Sequence, residues 1–104
     1  MTVHKMINKL AVIGAGQMGA GIAQIAAQVA KIPQVILFDK SENQLKSQFT
    51  KMRESLKRAE QKGTVSTEDL EFTLSAIRTT NNFKDLEGSN FIIEVQNIFI
   101  HESL

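Results

Sequence analysis

The 104-residue sequence contains no cysteine, no tryptophan and no tyrosine. The absence of cysteine excludes a disulfide framework and any metal site built on thiolates. There are two histidines, His4 and His101, which are too few for a zinc cluster. The sequence therefore predicts a domain without a metal site.

A large charge of one sign and a long apolar run are also missing. The formal net charge is +1, which gives no electrostatic reason to expect a nucleic-acid partner. No apolar run approaches the ~20 residues that a membrane-spanning helix needs, so no membrane association is expected. The amino terminus lacks the features of a transit or signal peptide, and the compartment stays open. The length allows one domain, residues 1–104.

Three of the six glycines follow an apolar segment in the spacing G-x-G-x-x-G. In such a turn the first glycine, Gly14, allows a sharp change of direction. Gly16 has no Cβ to block a pyrophosphate, and Gly19 lets a helix pack closely on the strand. The free N–H groups of the helix start would face the phosphates. The predicted dinucleotide-binding residues of this loop are Gly14, Ala15, Gly16, Gln17, Met18 and Gly19.

A carboxylate follows at the expected distance, because the apolar segment 35–38 runs into Asp39, 20 residues after Gly19. An acid at this point accepts hydrogen bonds from a ribose and repels a 2′-phosphate, which predicts NAD rather than NADP. Lys40, the next residue, keeps NADP open as an alternative, since a cation can bind that phosphate.

Strands alternate with helical patterns along the chain, which predicts an α/β fold. We expect a partial doubly wound, Rossmann-type parallel sheet with flanking helices and the strand order 3-2-1-4. The predicted strands are 9–13, 35–39, 76–80 and 90–95. The last strand should be an exposed edge, and the isolated chain should be marginally stable.

The helices show start signals, stop signals and apolar faces. Ser41 begins the second helix with Gln44 as its capping-box partner, and Gly63 ends it. Ser66 and Asp69 mark a third helix from Thr67 to about Leu74. The residues predicted to face the core are Ile22, Ile25, Ala26 and Val29 in the first helix, Leu45, Phe49, Met52, Leu56 and Ala59 in the second, and Met18.

Together these residues resemble the NAD-binding domain of the 3-hydroxyacyl-CoA dehydrogenase family, over residues ~8 to 95. The likeness includes the run QMGAGIAQ at 17–24, Asp39, the segment 54–56 and the segment 83–94. It implies oxidation of the 3-hydroxyl group of an acyl-CoA to a ketone with transfer of hydride to NAD, as in fatty-acid β-oxidation or butanoate metabolism.

The resemblance also implies roles for single residues. Ser55 and Lys62 correspond to two positions that contact coenzyme A in the family. Taken alone, the basic residues of this helix, Lys51 and Arg58 among them, would be read as a solvated flank. Glu94 is predicted either as a carboxylate at the end of a strand near the cofactor or as the charge at the start of a helix.

The likeness fails near the end of the sequence. Gln96 occupies the place of a family glutamate, and His101 the place of a lysine, in the last turn of an expected helix. The sequence ends before the family's catalytic histidine and glutamate and before the all-helical domain that carries its dimer contacts. We therefore predict no catalytic residue here, with His4 and His101 both exposed. A non-catalytic nucleotide-binding module and a sugar-acid dehydrogenase relative remain alternatives.

Overall fold

The computed structural model describes residues 7–95 and 99–102 and contains one five-stranded sheet. The strands are β1 (Lys9–Ile13), β2 (Gln34–Phe38), β3 (Ile77–Thr80), β4 (Phe91–Glu94) and β5 (Phe99–Glu102). The helices are α1 (Gln17–Gln28), α2 (Glu42–Gln61) and α3 (Thr67–Ala76), with a 3₁₀ helix at Phe83–Leu86. The spatial order is β3-β2-β1-β4-β5. The first four strands are parallel, so the predicted order 3-2-1-4 is confirmed.

The central strands are built from apolar residues because both faces of the sheet are covered. One face packs on the three α-helices through a core that includes Val12, Leu37 and Leu56. The other face has a smaller core, in which Leu86 of the 3₁₀ helix covers Ile36 and Ile92. None of the described helices is long and apolar enough to cross a membrane.

The predicted starts of α2 and α3 are confirmed by their hydrogen bonds, and α3 ends at Ala76, two residues after the predicted end. The Ser41 hydroxyl accepts from the N–H of Gln44 at 3.1 Å, and the Ser66 hydroxyl accepts from the N–H of Asp69 at 3.0 Å. Gly63 follows α2 with a φ of +81°, a left-handed conformation that favours glycine. The predicted apolar face of α2 is also correct, since its buried residues are Leu45, Met52 and Leu56, with Phe49 packed beside them.

The predicted core face of α1 is correct for Ala26, which is buried, and for Ile22, which packs against the core, and it is wrong for the other residues. Ile25 and Val29 are 61% and 70% exposed, and Met18 is 62% exposed. The buried residues of α1 are Gly19, Ala20, Ala23, Ala26 and Ala27. These small residues let α1 lie close to the sheet, which turns the larger apolar residues outward.

Two expectations for the end of the sheet are also wrong. β4 is no exposed edge, because β5 pairs with it antiparallel from Phe91 opposite Glu102 to Glu94 opposite Phe99. His101 lies in that strand rather than in a helix. An antiparallel neighbour needs only a short connection, and a segment beginning Phe-Ile has a high β propensity. Gln96 and His4 lie outside the described residues.

Candidate functional site

The loop between β1 and α1 lies at the carboxyl edge of the parallel strands. β1 stands between β2 and β4, the point at which the chain changes direction across the sheet. Ligands of open α/β sheets bind in the crevice at such a point. Gly14 turns the chain here with a φ of +111°, and its N–H donates to the carbonyl of Phe38 at 2.8 Å. The turn therefore requires glycine at this residue.

Gly19 is required by packing. A Cβ atom at this residue would lie 1.7 Å from the carbonyl oxygen of Gly14 and 2.9 Å from its carbonyl carbon. Both of these are backbone atoms, which cannot rotate away as a flexible side chain would. The third glycine of the motif thus allows α1 to sit against the turn, as the sequence predicts.

Gly16 differs from the other two glycines of the motif, because the fold does not require it. Its φ of −76° and ψ of −169° are extended values that any residue adopts. A Cβ atom here would meet no protein atom closer than Nε2 of Gln44, at 3.9 Å. The space over Gly16 is therefore open, as an approaching pyrophosphate requires.

The start of α1 presents backbone donors to that space. The first bond of the helix runs from the N–H of Ala20 to the carbonyl of Gly16 at 3.0 Å. The N–H groups of Gln17, Met18 and Gly19 precede it and point out of the helix start. Gly16 offers no side-chain cap to them. Such a helix start attracts an anion through its N–H groups and its dipole.

Asp39 joins the loop to the end of β2. Its Oδ2 accepts from the N–H of Ala15 at 2.8 Å, and its Oδ1 accepts from the N–H of Ser41 at 2.9 Å. The carboxylate thus lies directly beside the glycine loop. Each oxygen retains a second lone pair for a further donor, such as a ribose hydroxyl. Lys40 is exposed.

A slot opens on the other side of Asp39, between the start of α2 and the end of β3. Its volume is about 200 Å³. It is lined by Glu42, Leu45, Lys46, Thr79, Thr80 and Asn81. The carbonyl of Thr80, which lines the slot, accepts from the N–H of Asp39 at 3.2 Å, so the slot lies next to that residue.

Glu94 ends β4 opposite Ile13, so it lies at the same edge of the sheet as Gly14. The sequence allowed Glu94 to be either a carboxylate at the end of a strand or the charge at the start of a helix. Within the described residues no helix begins after Glu94, so the first interpretation holds. Val95 follows Glu94. If Gly14 carried a Cβ atom, that atom would lie 3.6 Å from the Cβ of Val95.

A groove of about 270 Å³ separates α1 from α2. It is lined by Gln17, Ala20, Gly21, Gln24, Gln48, Lys51, Met52 and Ser55. Ser55, singled out in the sequence, lies in this groove. Lys62 does not line it, because it stands at the end of α2, a rise of about 10 Å further along the helix. Gln17 belongs both to this groove and to the start of α1 at the glycine loop.

Sequence reasoning missed the position of the Gln44 side chain and the presence of Gly21 in the groove. The capping pattern had assigned Gln44 to the backbone of Ser41, and the motif includes no glycine at residue 21. Among the described residues no group of three acidic or histidine side chains is placed to hold a metal ion.

The parallel sheet, the glycine turn and the carboxylate after β2 define a dinucleotide-binding domain of the Rossmann type. A family model, described as 3-hydroxyacyl-CoA dehydrogenase, NAD binding domain, matches residues 9–98. The chain belongs to this family, and its cofactor is NAD.

Known proteins with similar sequences or structures support this family assignment. A 3-hydroxybutyryl-CoA dehydrogenase from Bradyrhizobium diazoefficiens is 38% identical over 86% of this chain and 30% of its own length. The mitochondrial hydroxyacyl-coenzyme A dehydrogenase of Rattus norvegicus is 35% identical over 95% of this chain and 33% of its own. A structure of 3-hydroxybutyryl-CoA dehydrogenase from Escherichia coli has a TM-score of 0.80 at 32% identity, and covers 85% of this chain and 18% of that one. The chain thus spans a third or less of these relatives.

Proposed function

We propose that this chain forms the NAD-binding part of an NAD-dependent dehydrogenase that oxidises 3-hydroxyacyl-CoA thioesters. The observation that carries the proposal is that Gln17, the first residue of α1 after the glycine turn, also lines the α1–α2 groove. A thioester bound along the groove would therefore lie beside a dinucleotide on the loop.

The predicted cofactor-binding residues other than Ala15 have the following roles in this proposal. The open face of Gly16 and the N–H groups of Gln17, Met18 and Gly19 receive the pyrophosphate. Asp39 accepts from the hydroxyls of the adenosine ribose, and the adenine ring occupies the slot beyond it. Glu94 and Gly14 border the crevice at the end of β4 and β1. NAD, when bound, supplies the acceptor for the hydride.

The coenzyme A side of the proposal depends on α2. The hydroxyl of Ser55 is exposed within the groove and is able to donate a neutral hydrogen bond. Lys62 is exposed at the end of α2, where its ammonium group suits a phosphate of coenzyme A. Lys51, in the groove wall, adds a second cation.

A second candidate is an NAD-binding module without catalysis of its own. The observation that favours it is the place of His101, the one histidine among the described residues. His101 pairs with Ile92 in the middle of β5, away from the carboxyl edge of the parallel strands. Both candidates require the same dinucleotide site and differ in whether this chain also transfers hydride.

The coenzyme A assignment is tested by titrating coenzyme A into the NADH-loaded protein. We expect Ser55→Ala to weaken binding about threefold to tenfold, the effect of one neutral hydrogen bond. Lys62→Ala should weaken it about twofold to fivefold, and less at high salt, as for an exposed charge pair. Lys57→Ala is the matched control, because Lys57 is an exposed cation about 200° around α2 from Ser55, whereas Lys62, seven residues after Ser55, lies on the same side of the helix as Ser55. Equal effects of Lys57→Ala and Lys62→Ala would contradict the assignment.

The preference for NAD is tested at Asp39. Asp39→Ala should weaken NADH binding by about 1.5–3 kcal/mol, because charge-assisted hydrogen bonds to the ribose are lost. NADPH should lose less affinity or gain some, since the charge that repels its 2′-phosphate is gone. Fluorescence titration with both nucleotides measures the ratio. Lys40→Ala is the control for the NADP alternative and should leave NADH binding unchanged. Equal affinity of the unaltered protein for NADH and NADPH would refute the role of Asp39.

A further inference from the structure

The side chain of Gln44 does not form the capping-box hydrogen bond to Ser41 that its position in the sequence predicts. In a capping box, the side-chain oxygen of a glutamine at the third helical residue accepts from the backbone N–H of the cap residue. Here the hydroxyl of Ser41 does accept from the N–H of Gln44, which forms one half of the box. The N–H of Ser41, the other half, donates instead to Oδ1 of Asp39 at 2.9 Å. The Asp39 carboxylate therefore accepts the N–H that the Gln44 side chain would bind in a complete capping box.

The amide of Gln44 lies against the glycine loop. Its Nε2 is 3.9 Å from the place of a Cβ on Gly16. The side chain is half-buried and has no hydrogen-bond partner among residues 7–95 and 99–102. No buried side-chain nitrogen or oxygen among the described residues lacks a partner, so the Gln44 amide is open to solvent and its N–H groups are available to a ligand.

We propose that Gln44 is a direct contact of the dinucleotide and donates its Nε2–H to a phosphate oxygen held over Gly16. A group in this space lies within reach of the amide, and phosphate oxygens accept strong hydrogen bonds. The start of α1 and Gln44 of α2 then bind the pyrophosphate from two sides. The inference rests on the NAD site proposed above and adds a residue that lies outside the glycine motif.

Titration with NADH and with ADP-ribose tests the inference. Gln44→Ala should weaken both ligands about tenfold, the loss of one hydrogen bond to a charged group. Gln44→Glu should bind both ligands at least about threefold more weakly than Gln44→Ala at low salt, because a carboxylate repels the phosphate. Gln44→Lys should restore binding to the unaltered level or above. A purely structural role would give three similar losses instead of this order.

Asn43→Ala is the matched control. Asn43 is the preceding residue of α2, carries the same amide group and is exposed, so its replacement should leave both affinities unchanged. Thermal unfolding of each variant verifies that the fold is intact. If the unaltered protein binds NADH and Gln44→Ala binds it equally well, the inference is overturned and the NAD site stands. If the unaltered protein binds neither nucleotide, the dinucleotide site and the inference are both overturned.

Discussion

Gly16→Ser is expected to raise the dissociation constant of NADH at least about 100-fold, equivalent to ~2.7 kcal/mol, while the protein stays folded. The added Cβ and hydroxyl would occupy the space into which the pyrophosphate comes. Inside the protein the added Cβ meets nothing closer than the Gln44 amide at 3.9 Å. Serine is also a better helix cap than glycine, so the free energy of unfolding should be unchanged or slightly higher. NADH titration and urea unfolding measure the two quantities on the same sample.

Gly19→Ala is the opposite case. Its Cβ would lie 1.7 Å from the carbonyl oxygen of Gly14, and backbone would have to move. Overpacking typically costs 1–3 kcal/mol, and a backbone contact this close should cost about 3 kcal/mol or more. A domain of this length has about 5–15 kcal/mol of stability in total. Gly21→Ala, two residues further along α1, is the matched control and should gain about 0.5–1 kcal/mol, because no atom lies within 4 Å of its Cβ. Equal stability of the Gly19→Ala and Gly21→Ala variants would contradict this account.

The second large effect concerns catalysis. The 104-residue polypeptide should bind NADH and yet show no oxidation of NADH when acetoacetyl-CoA is added. General acid–base catalysis contributes about 10²–10⁴-fold, and orientation of the reacting groups contributes more. His101 is the one histidine in the described part of the chain, and its backbone is at mid-strand in β5. Absorbance of NADH follows the reaction. Turnover at an ordinary rate, about 1–10³ per second, would show that the catalytic groups lie within these residues.

A fusion supplies the positive control. The part of the Bradyrhizobium diazoefficiens relative that follows the matched region is joined after Glu94, and NADH consumption is measured again. We expect activity in the fusion and its loss when Gly16→Ser is introduced, since the dinucleotide site then belongs to this chain. Activity that survives Gly16→Ser would refute the proposed site.

Much of the sheet and of the loop could be predicted from the sequence because the signals are local. Gly14 and Gly19 follow one strand at fixed spacing, and the structure gives both the geometry expected of them. Asp39 ends the second strand, so its place at the carboxyl edge follows from the order of the strands. The caps at Ser41 and Ser66 are set by neighbours within three residues.

The errors lie where the outcome depends on distant residues. The spacing of apolar residues in α1 is compatible with two buried faces. One face carries alanines, and the other carries Ile25 and Val29. The contact of Gly19 with Gly14 settles the rotation of the helix, and the alanines are buried. β5 depends on its pairing with β4, which a single segment does not reveal. Gln44 lies near Gly16 in a fold where Asp39 bonds both to the loop at Ala15 and to the cap of α2 at Ser41, a connection between segments that are distant in sequence.

The separate requirements of the two glycines bear on how such a sequence drifts when selection is relaxed. A descendant that no longer used a dinucleotide would still need glycine at residue 19, since any side chain there meets the backbone of Gly14. Residue 16 would be free to accumulate serine, alanine or asparagine, because its conformation and surroundings accept them. A side chain at residue 16 would therefore mark a descendant that has lost the pyrophosphate pocket and kept the fold.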